Sequence, residues 1–390
     1  MTAVQPILDE RVLLDDSLRP MWTFLRYNRL LPNFFHQNPE KRQCYIARFV
    51  VTVIAALIIL IYSLYLTLHS MKTSTTAEMI EISYNLIIML TALFFQYQYL
   101  TNGDVFIQFY KDWRKIEIRS SENVSVVKKK KRIAKFLSIF YLIFVIVYPI
   151  GIICWGAKQP THLIFNIFNP LSGELINFNL RLWIIPCIMY YSNIYFCMGE
   201  LLPTLFYYHA GCIIEDVERE FQNVFSCVSF DENSRLKSIW EKYEAVFRFV
   251  DRANRLFGPS ILCHHLVGFL LKCLGVYCLM RDQSTERTDK FIFIFVILLE
   301  TLRTAWVNRL VSHLHLCRNQ LQTSVAALLS QKWYELSEDE RHLVAAFQVR
   351  LANGDLAASP FGFYNVKPSN LLSMLSLILI YVVVLLQFDV

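Results

Sequence analysis

Among the charged residues within or beside long apolar stretches of this chain, four call for an explanation: Glu200, Lys272, Glu300 and Arg303. An ionised side chain in such surroundings is costly and faces protein or water rather than lipid. The chemistry open to these four is mutual pairing, ligand contact or gating. Lys272 and Glu300 fall at similar depth in successive apolar stretches and are placed to pair. Glu300 and Arg303, three residues apart, are placed to pair locally along one helix face. His264-His265 and His313-Leu314-His315-Leu316-Cys317 invite a metal reading. Adjacent and next-but-one residues do not face each other on a helix, so neither histidine pair chelates alone, and no metal or cofactor is expected. No catalytic triad, phosphate loop or paired carboxylates in a cleft is found, which points away from an enzyme. The chain closes on Tyr381, five apolar residues, Gln387 and Phe388. A helix that only anchors a protein in lipid gains nothing from a glutamine there. Either Gln387 reaches interfacial water, with the aromatics at headgroup level, or it lines a water-filled path that a ring of amides and apolar side chains can constrict. Tyr381, Val384 and Phe388 fall along one stripe, and Gln387 lies three residues beyond Val384.

These residues need elements to position them. The chain has 390 residues, 55% hydrophobic and 18% charged, and the apolar excess is concentrated in uncharged runs. Phe49–Leu68, Ile82–Gly103, Phe136–Ala157, Leu182–Gly199 and Pro368–Phe388 each match the length of about 20 residues that a spanning helix needs. Leu256–Met280 is long enough but carries Lys272, and Phe291–Ser312 is broken by Glu300, Arg303 and Arg309. Both are counted as spans because loop charges alternate only if both cross. The expected fold is all-α, with seven transmembrane helices, since lipid leaves the backbone no partners but its own.

Loop charge then sets the orientation. Segments 1–44, 101–132, 210–256 and 313–366 hold 26 Lys and Arg, against 5 in 70–80, 158–180 and 281–290. The amino terminus is expected in the cytoplasm and the carboxyl terminus outside, opposite to a G-protein-coupled receptor. The sequon at Asn123-Val124-Ser125 sits in the most basic loop, so it is expected to stay unmodified. The Lys128–Arg132 run there fixes topology or binds anionic lipid headgroups. Nucleic acid is not an expected partner, because the basic residues flank membrane spans. No secretory signal is visible at the start. The ten cysteines are scattered without a C-x-x-C pair, which argues against structural disulfides or zinc.

The organisation follows. Residues 1–44 form a cytoplasmic segment broken by Pro20, Pro32 and Pro39. Residues 45–312 hold helices one to six, with helices four and five extended into the cytoplasm over about 210–256. Residues 313–366 form a cytoplasmic anchor segment with the first half of a split seventh helix. That half includes His342–Leu351 and is broken by Asn353-Gly354-Asp355, Pro360 and Gly362. Residues 367–390 carry the spanning half. Apolar faces at spacings of three and four in 215–255 need packing partners, within one subunit or between subunits. The outer halves hold Tyr84, Tyr148, Trp155, Trp183, Tyr190, Tyr191, Phe293 and Phe295. These are interface belt and core, or a mostly apolar ligand pocket.

The ending resembles that of the insect gustatory receptors, which close on Thr-Tyr, five hydrophobic residues and Gln-Phe in the seventh helix. Tyr381, Val382 to Leu386, and Gln387-Phe388 match, and Ile380 stands where threonine is usual. Seven spans, the chain length and the inverted orientation agree with it. The resemblance implies a ligand-gated, non-selective cation channel of four subunits, homomeric or heteromeric, in the plasma membrane of sensory neurons. It implies seventh helices around a central pore, a cytoplasmic anchor holding the tetramer, and a pocket for a small organic tastant among the outer halves of helices two to six. Gln387 and Phe388 would then sit at the gate, with Val384 a turn below. Sugar-sensing members tend to have Glu directly after the Tyr; Val382 stands there, which favours a bitter or plant compound. An odorant-receptor-type subunit, a membrane transporter and a G-protein-coupled receptor are the alternatives.

Overall fold

The computed structural model describes single residues and short runs between 50 and 150, then a nearly continuous chain from 178 to 387, without 227–231, 282–286, 333, 335 and 355. Side chains in the opening turns of the first and third long helices lie outside the description. From residue 178 onward the described chain forms α1 (Phe178–Ser226), α2 (Glu232–Arg281), α3 (Arg287–Lys332), α4 (Glu338–Asn353) and α5 (Asn370–Gln387). Among the described residues there is no strand. The runs before 150 are helical as well, as at 90–95 and 135–143.

The first three helices are too long for a bilayer alone. α1 has 49 residues, α2 50 and α3 46. At 1.5 Å per residue, 49 residues extend roughly 73 Å, more than twice the ~30 Å of a hydrocarbon core. The expected spans are thus the ends of longer rods, and the charged, amphipathic 210–256 region is their continuation. Among the described residues, 235–277 contains a segment long and apolar enough to cross a membrane, and Asn370–Val384 is a shorter apolar helix.

One core joins the rods. α1 packs chiefly on α3, and α2 on both. Buried Leu201, Leu205, Ile214, Val217, Val246, Leu314, Leu321 and Val325 fill their shared interior. An aromatic cluster of Phe109, Trp113, Phe206, Phe249 and Phe257 ties the helical run near 110 to α1 and α2, with Phe109 stacked on Phe249 at 4.1 Å between centroids. α2 tolerates Pro259, whose ring removes a helical donor. Around it the Gln98 amide donates to the Leu256 carbonyl and accepts from Ser260 Oγ at 2.8 Å, bracing the helix where its own ladder is interrupted.

α4 and α5 are the two halves expected of a split helix. α4 begins earlier than His342, because Ser337 and Glu340 form a capping box: each side chain bonds the other's backbone N–H. It docks through Val344, Phe347 and Leu351, with Phe347 edge-on to Tyr243 at 4.9 Å. It ends at Asn353, where Arg318 Nη2 donates to the Leu351 carbonyl that the helix leaves unpaired. A Cβ at Gly354 would stand 2.8 Å from the Phe247 ring, so only glycine lets the chain pass there. The link then turns sharply: Phe361 and Gly362 both have positive φ (52° and 76°), and Phe363 N–H bonds Pro360 O at 3.0 Å. Glycine suits this left-handed geometry. Gly258 on α2 lets the link approach, since a Cβ there would lie 3.0 Å from Phe361 N.

Candidate functional site

Two arrangements stand out. The first is a buried ionic cluster between α1, α2, α3 and the helical run near 141. Arg303 on α3 is its hub. Its Nε and Nη2 donate to Glu300 Oε2 at 3.0 and 2.6 Å, and its Nη1 donates to Glu200 Oε2 on α1. Tyr141 OH donates to the same Glu200 oxygen at 2.5 Å. Lys272 Nζ on α2 donates to Thr304 Oγ1 at 2.7 Å, and that hydroxyl donates to Glu300 O at 2.8 Å. Glu200, Lys272, Glu300 and Arg303 are each under a tenth exposed. Two carboxylates and two cations balance, which is how buried charge is tolerated. His264, 3.9 Å from Glu200 Oε1, is stacked on Phe95 at 4.9 Å and flanked by Phe196. Gly199 lets Phe95 in, for a Cβ there would fall 2.6 Å from its ring.

The structure therefore joins Glu300 to Arg303, the local alternative, and gives Lys272 the Thr304 hydroxyl as its hydrogen-bond partner. Sequence reading missed Tyr141 as a member and Glu200 as the second carboxylate on Arg303. The available signal was charge balance: two bases in the apolar runs, Lys272 and Arg303, call for two acids, and Glu200 is the second one there besides Glu300.

The second arrangement is α5. Leu375, Ile378 and Val382 lie against α2 with Cys273, Phe269 and Val276. At 100° per residue the opposite face carries Ser373, Leu377, Ile380, Val384 and Gln387. These five are exposed in the single chain. Tyr381, half exposed, sits at the edge of the packed stripe with its ring perpendicular to Phe269 at 5.8 Å. A helix with one apolar face packed and another apolar face bare needs a second partner, whether lipid or protein. Gln387 ends that bare face. Phe388 lies outside the described residues.

None of the expected pocket aromatics can be placed against a ligand site. Tyr84, Tyr148 and Trp155 lie outside the described residues, as do the side chains of Trp183, Tyr190, Tyr191, Phe293 and Phe295. Segment 1–44, the Asn123 sequon and Lys128–Lys131 are outside as well.

Long helices joined by one core, with an apolar terminal helix packed on one side only, define an all-helical architecture among the described residues. The model of the seven-transmembrane chemosensory receptor family matches residues 18–390, and the chain belongs to that family. In fold it is similar to the insect olfactory receptor OR5 from Machilis hrabei in complex with eugenol. The TM-score is 0.64 at 13% identity, over 96% of this chain and all of that one. A second structure of the insect olfactory receptor OR5 from Machilis hrabei matches with a TM-score of 0.59 at 14% identity over the same shares. No curated protein matches the chain in sequence. The chain is therefore a membrane protein of a chemosensory receptor family.

Proposed function

We propose that the chain is a gustatory-type chemoreceptor that works as a ligand-gated, non-selective cation channel in the plasma membrane of sensory neurons. The observation that carries this is the bare face of α5, which runs from Ser373 through Leu377, Ile380 and Val384 to Gln387. Four copies arranged about an axis would cover each other's apolar flanks and turn this face inward. The polar residues at its two ends would meet water, and Val384 with Gln387 and Phe388 would form the constriction. The amino terminus and segment 1–44 would be cytoplasmic, and 313–366 would serve as the anchor between subunits. Its exposed Phe361 and Phe363, 62% and 75% accessible, support a surface that another copy covers. The ligand class is a small organic tastant, with Val382 following Tyr381 favouring a bitter or plant compound over a sugar. The fold likeness to a receptor solved in complex with eugenol supports a compact, semi-apolar ligand. That likeness also favours a second reading, an odorant-type subunit with the same channel architecture.

Two measurements test the channel. A tag fused to each terminus and stained on intact cells should be reached by antibody only at the carboxyl end. A carboxyl tag that stains only after permeabilisation excludes this topology. In whole-cell recordings with G proteins blocked, an active tastant should still evoke current. Gln387→Ala should alter the relative permeability of Na⁺ and Ca²⁺ by twofold or more at unchanged surface level. Unaltered permeation would remove Gln387 from the pore.

A further inference from the structure

Where α1 and α3 run together below the ionic cluster, four side chains with metal-binding donors meet. Cys212 and Glu215 are three apart on α1, and His313 and Cys317 four apart on α3, so each pair shares a helix face. His313 Nε2 lies 4.0 Å from Cys212 Sγ, 3.5 Å from Cys317 Sγ and 3.9 Å from Glu215 Oε2. The donors of Cys212, Glu215 and His313 all fall within 4.8 Å of one another. In a tetrahedral zinc site with bonds of 2.0–2.3 Å, neighbouring donors are roughly 3.3–3.8 Å apart. His313 Nε2 thus stands within a few tenths of an ångström of that spacing from each of the other three donors.

The surroundings are those of a built site. Arg219 holds Glu215 by Oε1 at 2.5 Å, so the other oxygen, Oε2, is the one aimed at His313. An outer partner that orients a ligand in this way is a regular feature of metal centres. Tyr208 stacks on the His313 ring at 5.2 Å and fixes its plane. Gly211 allows the approach, because a Cβ there would sit 2.9 Å from His313 Cδ2 and 3.0 Å from the Leu314 backbone nitrogen. Both sulfurs are buried, while the His313 and Glu215 side chains are 23% and 22% exposed, which leaves an entry path.

We propose that Cys212, Glu215, His313 and Cys317 bind one Zn²⁺ or similar thiophilic divalent ion per chain, stapling α1 to α3. Two thiolates, an imidazole and a carboxylate make a closed tetrahedral set without an open position, so the role is structural or regulatory. In the cytoplasm, where the orientation argued above puts this segment, thiols stay reduced and metal binding prevails over disulfide formation.

The test uses the purified full-length protein in detergent, stripped with chelator and then titrated. Zn²⁺ should bind at one equivalent per chain and raise the unfolding temperature. Co²⁺ in its place should give the strong thiolate charge-transfer and visible bands of a tetrahedral site. Cys317→Ser and His313→Gln should each weaken Zn²⁺ binding at least tenfold and abolish the Co²⁺ bands, whereas Cys273→Ser should leave both intact. His313→Gln changes a partly exposed residue, so its monodisperse elution checks that folding is unharmed. Failure to bind Zn²⁺ near stoichiometry, or Co²⁺ bands that persist in both variants, overturns the site. Neither readout depends on current or ligand, so the result stands apart from the channel reading.

Discussion

Replacing Arg303 by leucine is expected to reduce the receptor at the cell surface more than tenfold. Its guanidinium serves two carboxylates at once, Glu300 on its own helix and Glu200 on α1. Leucine fills the volume but leaves two buried anions facing each other, with Lys272 the one cation of the four left. Breaking a buried pair by removing one partner costs about 3–5 kcal/mol, a large share of the stability of an ordinary fold. Arg303→Lys should recover only part of the loss, since an ammonium cannot fork between two acids. Restoring the balance is the sharper test. Glu200→Gln combined with Arg303→Leu leaves Glu300 and Lys272 as a neutral set and still gives Tyr141 an acceptor, so surface level should rise well above that of the single variant. Exchanging Lys272 and Glu300 with Arg303 intact should itself lower the surface level, because the exchange sets a lysine three residues from Arg303 and takes Glu300 from its fork. Surface biotinylation reads all four. Arg303→Leu at wild-type surface level, or a double variant no better than the single, would show that the cluster does not hold the helices together.

Much of this fold was legible in the order of residues because its determinants are local. Uncharged runs report a lipid-length requirement directly, and the break between α4 and α5 is written in Asn353-Gly354 and Pro360. The start of α4 was also written, in Ser337 and Glu340, but a capping box inside a polar stretch is easily read as loop. The charges could be found as a set, since charge in an apolar run is rare. Their partners could not all be chosen. Lys272 and Glu300 match in depth, yet a three-residue step along one helix outcompetes a contact across two, and the reach of Glu200 to Arg303 spans 103 residues of sequence. The cysteine and histidine cluster was hidden for the same reason. His313 and Cys317 show a helical spacing on their own, but Cys212 and Glu215 reach them only when Gly211 lets α1 close on α3. Which face of α5 is bare was likewise beyond the pattern, because the helix is apolar all round between its polar ends and carries no continuous polar stripe to mark one side.

The same long-range logic picks out Asn254 as the residue through which the long helices hold the terminal helix. Its Oδ1 accepts from Tyr207 OH at 2.8 Å and from Ser359 N–H at 2.9 Å, and its Nδ2 donates to Ala357 O at 3.0 Å. One amide thus joins α1, α2 and the link that leads into α5. The rest of the link is held by Val366 N–H to Ala358 O at 2.8 Å, by Asn308 to Lys367 O at 3.2 Å, and by Tyr364 against His265. Asn254→Leu removes both capacities and strands a hydroxyl, a backbone N–H and a carbonyl. Each buried group left unpaired costs about 1–3 kcal/mol. The unfolding temperature of the purified receptor should fall by several degrees, and at matched surface level the maximal evoked current should drop at least threefold. Asn254→Asp keeps both acceptances but sets a carboxylate against Ala357 O, so its loss should be smaller. Asn308→Ala, which deletes one bond, should be milder than the leucine variant in both readings. A leucine variant that melts and conducts like the parent would mean that the link is held by its apolar contacts alone, and that motion of the rods reaches α5 by another route.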